Sequence, residues 1–523
     1  MLKFSKACSH LSSRLAFPWL ALAFAALAVF IVEPGTTNLF REGHFNWVSH
    51  HSLAIAMHST LKTGLVGYSC KLFVGGGDFF YDYFNRYPFA FAFISRSILK
   101  WFASDVELLL YVSRQLMNVL FLANILVLVL VGQVLGFGAW LSIFSALLLG
   151  ASRSWLYYKS MYHFDQPALL ALSLIILLVA FIWKNPGFFG STRLAVLMVG
   201  SAAAVASGRS GSILIFLMAC LVIYRLQPAA FWPGAGKEIL LSLLFSLFTL
   251  FAFTGYAILL EARINDVALT DTSVVQSAMR RLGVSVSGFT DGNIRTISWS
   301  RAIPRLFSFV ARYCSPGAAI LFVIAGYLQF RDRSPSGVRH HLSMPALESF
   351  QARLVSPVFA INLACFVTGI GWCLGMKNLV VFHDYAAMYI VPFFYLSTLV
   401  AGARVLPFVE PIKTQMLGFA LLVFVASLFA VQAYFDVRPQ SGEAYQAIRR
   451  FYLDLNSFRS GQPDGKDPAL MPVLRDEDWI PGSPYAQCLF LNNPLVSAGD
   501  FSRMAVEGVA PHLLDPPRLE VVK

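Results

Sequence analysis

Apolar stretches long enough to cross a lipid bilayer alternate with polar loops along most of this chain. A helix needs roughly 20 predominantly apolar residues to cross the hydrocarbon core. On that criterion the sequence predicts about eleven transmembrane helices. They lie at Ala16–Val32, Gln115–Leu135, Trp140–Ser154, Pro167–Trp183, Leu194–Ala206, Ser212–Tyr224, Ile239–Leu260, Phe307–Phe330, Ser356–Leu374, Ala386–Ala403 and Met416–Tyr434. The pattern therefore predicts an all-α polytopic membrane protein.

The fifth and sixth predicted helices are short and flank the sequence Ser207-Gly208-Arg209-Ser210-Gly211. They are either two short spans or one broken helix that dips into the membrane, where irregular backbone needs surrounding protein or water. Composition agrees with a membrane protein, because charged residues make up only 13% of the chain. A soluble domain carries about 25%.

Lysine and arginine in the short loops predict the orientation. The N-terminal stretch carries Lys3, Lys6 and Arg14. The loops that would share its side are also basic: Lys184, Arg193, Arg225, Lys237, Arg331, Arg333, Arg339, Arg353, Arg404 and Lys413. We therefore expect a cytoplasmic N-terminus, an external C-terminus and a retained first span, since Val32-Glu33-Pro34-Gly35 is a poor signal-peptide cleavage site.

Two regions follow from this pattern. Residues 1–435 form the predicted transmembrane domain, in which a long first outer loop runs from about residue 33 to residue 113. Residues 436–523 form a predicted small external C-terminal tail that is too short for a large core. Cysteines are scattered, and Cys70, Cys314 and Cys488 fall on the predicted outer side, where a disulfide is permitted.

The formal net charge of +12 is compatible with nucleic acid or with anionic lipid as a partner. The sequence lacks the clustered basic face with interleaved aromatic residues that is typical of nucleic-acid binders. In a membrane protein, basic cytoplasmic loops face anionic lipid. We therefore expect the membrane, and not nucleic acid, as the partner.

The first outer loop is rich in apolar and aromatic residues, which is typical of helices that lie in the membrane interface. Within it, His44, His51 and His58 recur every seven residues and would share one face of a helix. Seven residues rise about 10 Å, so one metal ion cannot bind all three. An interfacial polar face is favoured over metal binding.

The same loop contains candidate anion-binding residues. The run Gly75–Gly77 before Asp78 predicts a tight turn rather than a phosphate-binding loop. Arg86 and Tyr87 precede Pro88, a residue that often begins a helix. Because helix N-termini bind anions, Arg86 and Tyr87 are candidate phosphate contacts.

The second outer loop is short and places Lys159, His163 and Asp165 just before the fourth predicted span. Asp165 stands two residues ahead of Pro167, which favours a role as helix N-cap. The alternative is a carboxylate at the membrane edge that faces Glu42, which follows the first span by about ten residues. The two roles are compatible.

Two further outer segments carry polar chemistry. The loop Glu261–Arg305 is polar and is a candidate lid over the outer face. His383, Asp384 and Tyr385 stand where the tenth predicted span begins. They either cap that helix or contact an anionic substrate.

Taken together, these residues resemble the C-type (GT-C) integral-membrane glycosyltransferases, which include protein O-mannosyltransferases and bacterial aminoarabinose transferases. The resemblance covers most of the first 230 residues. Its elements are Glu42 after the first span, Tyr83-Phe84-Asn85-Arg86-Tyr87-Pro88, Tyr162-His163-Phe164-Asp165-Gln166-Pro167, and the break at Arg209. The resemblance implies a GT-C-like bundle, a polyprenyl-phosphate sugar donor, and Glu42 as a catalytic or metal-linked carboxylate.

The chain departs from the family at Arg41-Glu42-Gly43, where the family usually shows two acidic residues. A divalent metal is therefore a possible cofactor whose need stays open.

Transfer from such a donor needs a base for the acceptor hydroxyl and positive charge beside the departing phosphate. Glu42 is the first candidate base and Asp165 the second. The candidate phosphate contacts are Arg86, Tyr87, Lys159, His163, Arg209 and His383. We expect the two carboxylates to share one cavity, and the cations to converge beside it.

The predicted function is therefore a glycosyltransferase on the outer face of a bacterial-type inner membrane, acting on a lipid, glycan or protein acceptor with inversion at the sugar. A transporter or flippase is one alternative, although the polar residues cluster at span ends rather than at mid-bilayer. A non-catalytic scaffold with a degenerate transferase fold is the other, because the first loop has a single acid.

Overall fold

The computed structural model describes residues 2–32, 44–60, 67–75, 78–83, 90–103, 105–207, 211–276, 298–331, 357–381, 383–406 and 413–437. The helices are α1 Leu2–Val32, α2 His44–His58, α3 Ala90–Leu99, α4 Val106–Val134, α5 Ala139–Gly150, α6 Arg153–Tyr157, α7 Asp165–Lys184, α8 Arg193–Ser207, α9 Gly211–Leu226, α10 Ala235–Asn265, α11 Trp299–Ala311, α12 Pro316–Arg331, α13 Pro357–Gly375, α14 Lys377–Val380, α15 Val391–Val405 and α16 Lys413–Val437. Two strands, β1 Tyr68–Gly75 and β2 Asp78–Tyr83, form an antiparallel hairpin.

Among the described residues, seven helices are long and apolar enough to cross a membrane, and the number is eight if the bent pair α11–α12 counts as one span. Shorter apolar helices at Ala16–Val32, in α5 and in α9 coincide with the remaining predicted spans. The prediction of an all-α polytopic membrane protein is confirmed, and the hairpin is the one sheet among the described residues.

The eighth predicted span, Phe307–Phe330, is wrong as a single helix. The helices α11 and α12 meet at 93°. Pro316 begins α12, where its missing N–H costs nothing, and the Ala318 N–H donates to Ser315 Oγ at 3.1 Å. Because the residues on both sides of this break are mostly apolar, the hydrophobic pattern continues across it and predicts a single helix.

Two other predicted spans differ from the structure at the same end of the bundle. The third, Trp140–Ser154, ends at Gly150, and the short helix α6 follows it. The tenth begins as a 3₁₀ segment, Asp384–Ile390, which continues into α15. We call the end of the bundle that carries α6, Asp165 and this 3₁₀ segment the site end.

The helix α5 lies at the centre of the core. Residues 141–150 are all buried, and α5 packs against α1, α4, α12, α15 and α16. Burial from every side explains why these ten residues are uniformly apolar or small instead of amphipathic.

The first loop differs from its prediction in one helix. Residues 48–56 of α2 are buried, whereas α3 buries Phe91 and Ala92 and exposes Ile94 and Ile98. The sequence favoured an interfacial polar face for the histidines, whereas His51 and His58 are buried inside the protein. Gly75 and Asp78 pair across the end of the hairpin, as expected of a turn at the glycine run.

Two predicted segments lie largely outside the described residues. The C-terminal tail is outside them from residue 438 onward. The candidate lid is described at its two ends, where α10 continues to Asn265 and buried Glu261 accepts hydrogen bonds from the Ser273 N–H and Oγ–H. Both interpretations stay predictions.

Candidate functional site

The carboxylate of Asp165 contacts one side chain from its own loop, His163, and one from a distant part of the chain, Tyr389. Asp165 is 1% exposed and is the first residue of α7. His163 Nδ1 hydrogen-bonds Asp165 Oδ2 at 2.6 Å, and Tyr389 OH donates to Oδ1 at 2.8 Å. The N-cap interpretation of Asp165 is wrong, because Phe164 is the N-cap residue. A charge in the first turn still interacts favourably with the helix dipole.

Tyr385 packs against three other rings at the site end. Its centroid lies 5.1 Å from that of His163, 5.3 Å from that of His383 and 5.5 Å from that of Tyr158. The structure therefore brings His163 and His383 into contact with the same buried tyrosine. His383 precedes the 3₁₀ segment, and its side chain makes no capping hydrogen bond there.

A second carboxylate, Asp384, lies beside this aromatic cluster. Tyr158 OH donates a hydrogen bond to Asp384 Oδ1, and Arg312 Nη1 lies 3.4 Å from Oδ2. Burial, together with the charge of Asp384 and this hydrogen bond, raises the pKa of Tyr158 above its usual value. Tyr158 therefore stays protonated and donates to the carboxylate.

The 3₁₀ segment that carries both Asp384 and Tyr389 is fixed by close packing and by hydrogen bonds. Tyr313 OH donates to the backbone carbonyls of Asp384 and Tyr385 at 3.3 Å each. Trp372 Nε1–H donates to the Ala386 carbonyl at 3.0 Å. A Cβ added at Gly369 of α13 would lie 2.8 Å from Ile390 Cα, so only glycine permits this approach.

Lys159 is buried and reaches α4 rather than the surface. Its Nζ donates to Asn118 Oδ1 at 3.1 Å, and Asn118 Nδ2 donates to Gln115 Oε1 at 3.1 Å. A buried ammonium is costly unless it is hydrogen-bonded, so this contact offsets part of the desolvation cost of the charge. The structure thus places Lys159 inside the protein, within the same short loop as His163.

The four remaining predicted site residues, Glu42, Arg86, Tyr87 and Arg209, lie outside the described residues. Their meeting with Asp165 stays a prediction. Sequence reasoning missed Tyr158, Arg312 and Tyr389. The available signal for Tyr389 was a hydroxyl within a mostly apolar predicted span, since a hydroxyl needs a partner when it is buried.

The helix α2 presents a different environment for its histidines. Burial, and secondly the charge of Arg114, lowers the pKa of His50 to about 3. His58 Nδ1 hydrogen-bonds the Tyr68 carbonyl at 2.9 Å, and its ring stacks on that of Tyr68. His58 therefore fastens α2 to the hairpin.

A divalent metal is not supported by the described donors alone. No group of three or more His, Cys, Asp or Glu residues suited to a metal occurs among the described residues. His163 and Asp165 hydrogen-bond each other directly. Two such ligands are fewer than a protein metal site normally uses.

The α2–α3 region, the start of α4 and the segment before Asp165 share one hydrophobic cluster, which we call the loop core. Phe91 packs against Tyr162 and Phe164 with ring centroids 5.7 and 6.0 Å apart. Ser95 Oγ and Tyr162 OH are 2.5 Å apart. The remaining members of the loop core are Leu53, Ala54, Ile55, Ala56, Ala92, Leu99, Leu109, Leu110 and Met117.

No protein-family model matches the sequence, and no curated protein matches it. Two structures of an oligosaccharyltransferase from Archaeoglobus fulgidus match the fold. The one in complex with an inhibitory peptide and a dolichol-phosphate has a TM-score of 0.52 and 13% identity over 93% of this chain. The apo form has a TM-score of 0.50 and 12% identity over 92% of this chain.

This chain shares its fold with the archaeal oligosaccharyltransferase. It covers 65% and 64% of the two archaeal chains, which is less than two thirds of their length. The expectation of a GT-C-like helical bundle is thereby confirmed. At this identity the likeness establishes the fold alone.

Proposed function

We propose that the protein is a membrane glycosyltransferase that moves a sugar from a polyprenyl-phosphate donor to an acceptor hydroxyl. The observation that carries the proposal is the buried Asp165 carboxylate at the start of α7, held by His163 and Tyr389. It lies in a fold shared with an oligosaccharyltransferase whose structure holds a dolichol-phosphate. A buried, hydrogen-bonded carboxylate at a helix end is a candidate functional group.

In the proposed reaction, the acceptor hydroxyl attacks the anomeric carbon and gives its proton to a carboxylate base. The bond from that carbon to the phosphate oxygen breaks, and the polyprenyl phosphate leaves with the electron pair. One displacement of this kind inverts the anomeric centre. No acid is needed for the leaving group, so a base and nearby positive charge suffice.

Glu42 is the first candidate base and Asp165 the second. Asp165 also orients the His163 imidazole, as carboxylates do in carboxylate–histidine pairs. We propose that Lys159, His163 and His383, with Arg86, Tyr87 and Arg209, supply the contacts to the phosphate. Arginine suits phosphate because its guanidinium binds two oxygens at once.

The acceptor is a lipid, a glycan or a protein, and the proposed active face is the external face of a bacterial-type inner membrane. The loops at the site end are among those that the lysine and arginine distribution predicts to be external.

The experiment reconstitutes the full-length protein in proteoliposomes with radiolabelled polyprenyl-phosphate hexoses and pentoses. The acceptor is a membrane extract from cells that lack the gene. Asp165→Asn and Glu42→Gln should each lower transfer by about 100-fold or more. The control is Asp271→Asn, which changes an exposed carboxylate outside the site.

Full activity in Asp165→Asn would reject Asp165 as a member of the site. No transfer by the wild type, together with unchanged membrane glycans and lipids when the gene is deleted, would favour the non-catalytic scaffold.

A further inference from the structure

The helix α11 lies across the end of the bundle instead of along it. Its axis meets that of α12 at 93°. The helix α12 packs against the central helix α5 and against α15, which belongs to a candidate membrane span, so α12 is part of the membrane-crossing bundle. The helix α11 packs against the 3₁₀ segment at the site end. It therefore runs nearly parallel to the membrane surface at that end.

The apolar residues of α11 form two flanks, and only one of them faces protein. The inner flank contains Ala302 and Leu306, which are buried. The outer flank contains Trp299, Ile303 and Phe307, which recur every four residues and therefore share one side of the helix. Their exposed fractions are 49%, 43% and 70%. Three large apolar side chains thus form a continuous stripe that points away from the bundle.

A third flank of α11 is basic. Arg301 and Arg305 are one turn apart and exposed, and Arg312 follows on the same side just after the helix. Exposed arginines are costly inside the hydrocarbon core, so α11 is not the outer half of a bent span. An apolar stripe beside a row of arginines is typical of helices that lie in the membrane interface. There the apolar side chains enter the acyl region and the guanidinium groups stay among the head groups.

Trp299 has the surroundings of an interfacial anchor. Lys377 Nζ, from α14, lies 4.2 Å from the centroid of the indole ring. About half of the Trp299 side chain is nevertheless exposed. Tryptophan is enriched at the level of the head groups because its ring is apolar and its N–H is polar. The cation–π contact therefore fixes the start of α11 to α14 and leaves the outer edge of the ring for lipid.

We propose that α11 is a membrane-docking helix, with Trp299, Ile303 and Phe307 among the lipids of the leaflet at the site end. Arg301 and Arg305 then lie beside the lipid phosphates. The occupant is the bilayer because the helix adjoins a membrane-crossing helix and because each flank matches one layer of the interface. The competing occupants are residues 277–297, residues 438–523 and a second copy of the chain.

The docked helix is connected to the candidate site through the residues that follow it. Tyr313 OH donates to the backbone carbonyls of Asp384 and Tyr385, in the 3₁₀ segment. Tyr389 of the same segment donates to Asp165. Docking of α11 at the lipid phosphates would therefore hold Asp165 close to the membrane surface, where a lipid-linked phosphate is found. This consequence rests on the proposed function, whereas the docking itself does not.

Photocrosslinking of the full-length protein tests the docking. The protein is reconstituted in vesicles of phosphatidylethanolamine and phosphatidylglycerol and irradiated, and its intact mass is measured. Ile303→benzoylphenylalanine and Phe307→benzoylphenylalanine should each gain the mass of one phospholipid, because the benzophenone reacts with the C–H bonds that it contacts. Both positions are exposed, so the substitutions leave the packed core unchanged.

Two matched positions calibrate the yield of lipid adduct. Phe429→benzoylphenylalanine, at an exposed position of the candidate span α16, gives the yield of a side chain that faces acyl chains. Ser308→benzoylphenylalanine lies on the opposite side of α11 from Trp299 and is also exposed. It should give about tenfold less lipid adduct than position 307, because its flank faces head groups and water.

The other occupants give products of their own. Crosslinks from positions 303 and 307 to peptides of residues 277–297 or 438–523, or a covalent dimer, would overturn the proposal. Equal lipid yields at positions 307 and 308 would do the same, as would no adduct at positions 303 and 307 when position 429 reacts.

A catalytic variant separates this proposal from the proposed function. Asp165→Asn in the Phe307→benzoylphenylalanine background should keep the full lipid yield while losing transfer. Lipid adducts in a protein that shows no transfer at all would leave the docking helix standing and remove only the transferase.

Discussion

Tyr389 donates a 2.8 Å hydrogen bond to Asp165 across 224 positions of sequence. The donor belongs to the 3₁₀ segment before α15 and the acceptor begins α7. The position of the Asp165 carboxylate therefore depends on a segment far away in sequence as well as on its own loop.

Tyr389→Phe should lower the turnover of the proposed transfer by about 10- to 100-fold while destabilising the protein by only about 1–3 kcal/mol. The physical reason is that Asp165 loses the hydrogen bond from Tyr389 that orients its carboxylate. Initial rates at saturating donor would measure this. Tyr395→Phe is the control, because Tyr395 is equally buried but donates to the Ser142 carbonyl in the core. Equal losses in both variants would show a packing effect and not a positioning one.

Gly369→Ala should displace the 3₁₀ segment and lower activity together with thermal stability. The added Cβ would lie 2.8 Å from Ile390 Cα, which is backbone and cannot rotate away. Overpacking of this kind costs about 1–3 kcal/mol. At Gly371, on the same helix, the nearest atom would be the Ile215 side chain at an ordinary 3.4 Å. Gly371→Ala should therefore melt like the wild type, and a matching loss there would refute the close-packing argument.

Acid should destabilise the protein through His50. In the folded protein the pKa of His50 is lowered to about 3, so the ring stays neutral, whereas the unfolded chain protonates it below its ordinary value of 6.5. His50 therefore does not change the free energy of unfolding above pH 6.5. As the pH drops from 6.5 toward 3, that free energy falls by about 1.4 kcal/mol per pH unit.

His50→Gln should remove this contribution, so the difference in unfolding temperature between pH 7 and pH 5 should be smaller in the variant than in the wild type. Scanning fluorimetry of the purified protein at both pH values measures it. Parallel pH profiles would show that His50 protonates in the folded state.

Reporter fusions test the predicted orientation. A fusion after Arg225 should read cytoplasmic and a fusion after Tyr434 external, because basic loops stay inside. A phosphatase reporter, active only outside, and a fluorescent protein, bright only inside, give opposite signals at each position. The same location at both sites would reject the proposed topology.

The sequence predicted what is local and missed what depends on packing. His163 and Asp165 are two residues apart, so their meeting needed little tertiary information. Tyr389 reaches Asp165 only because α13 and α15 hold the 3₁₀ segment in place, and no periodicity encodes that. The bend before Pro316 was visible as a proline, but the apolar runs on both sides outweighed it. α2 was expected at the interface because aromatic and apolar composition does not separate a lipid-facing helix from a buried one.

The loop core has a mechanical consequence for how the site opens. Its members from α2 and α3 pack against Tyr162 and Phe164, the residues immediately before and between His163 and Asp165. Residues that share a cluster tend to unfold together as one cooperative unit. If this part of the first loop moved away as a hinged flap, it would therefore remove the packing that holds the segment before Asp165 in place. In the proposed transferase, substrates would therefore reach Asp165 by a route other than this side of the first loop.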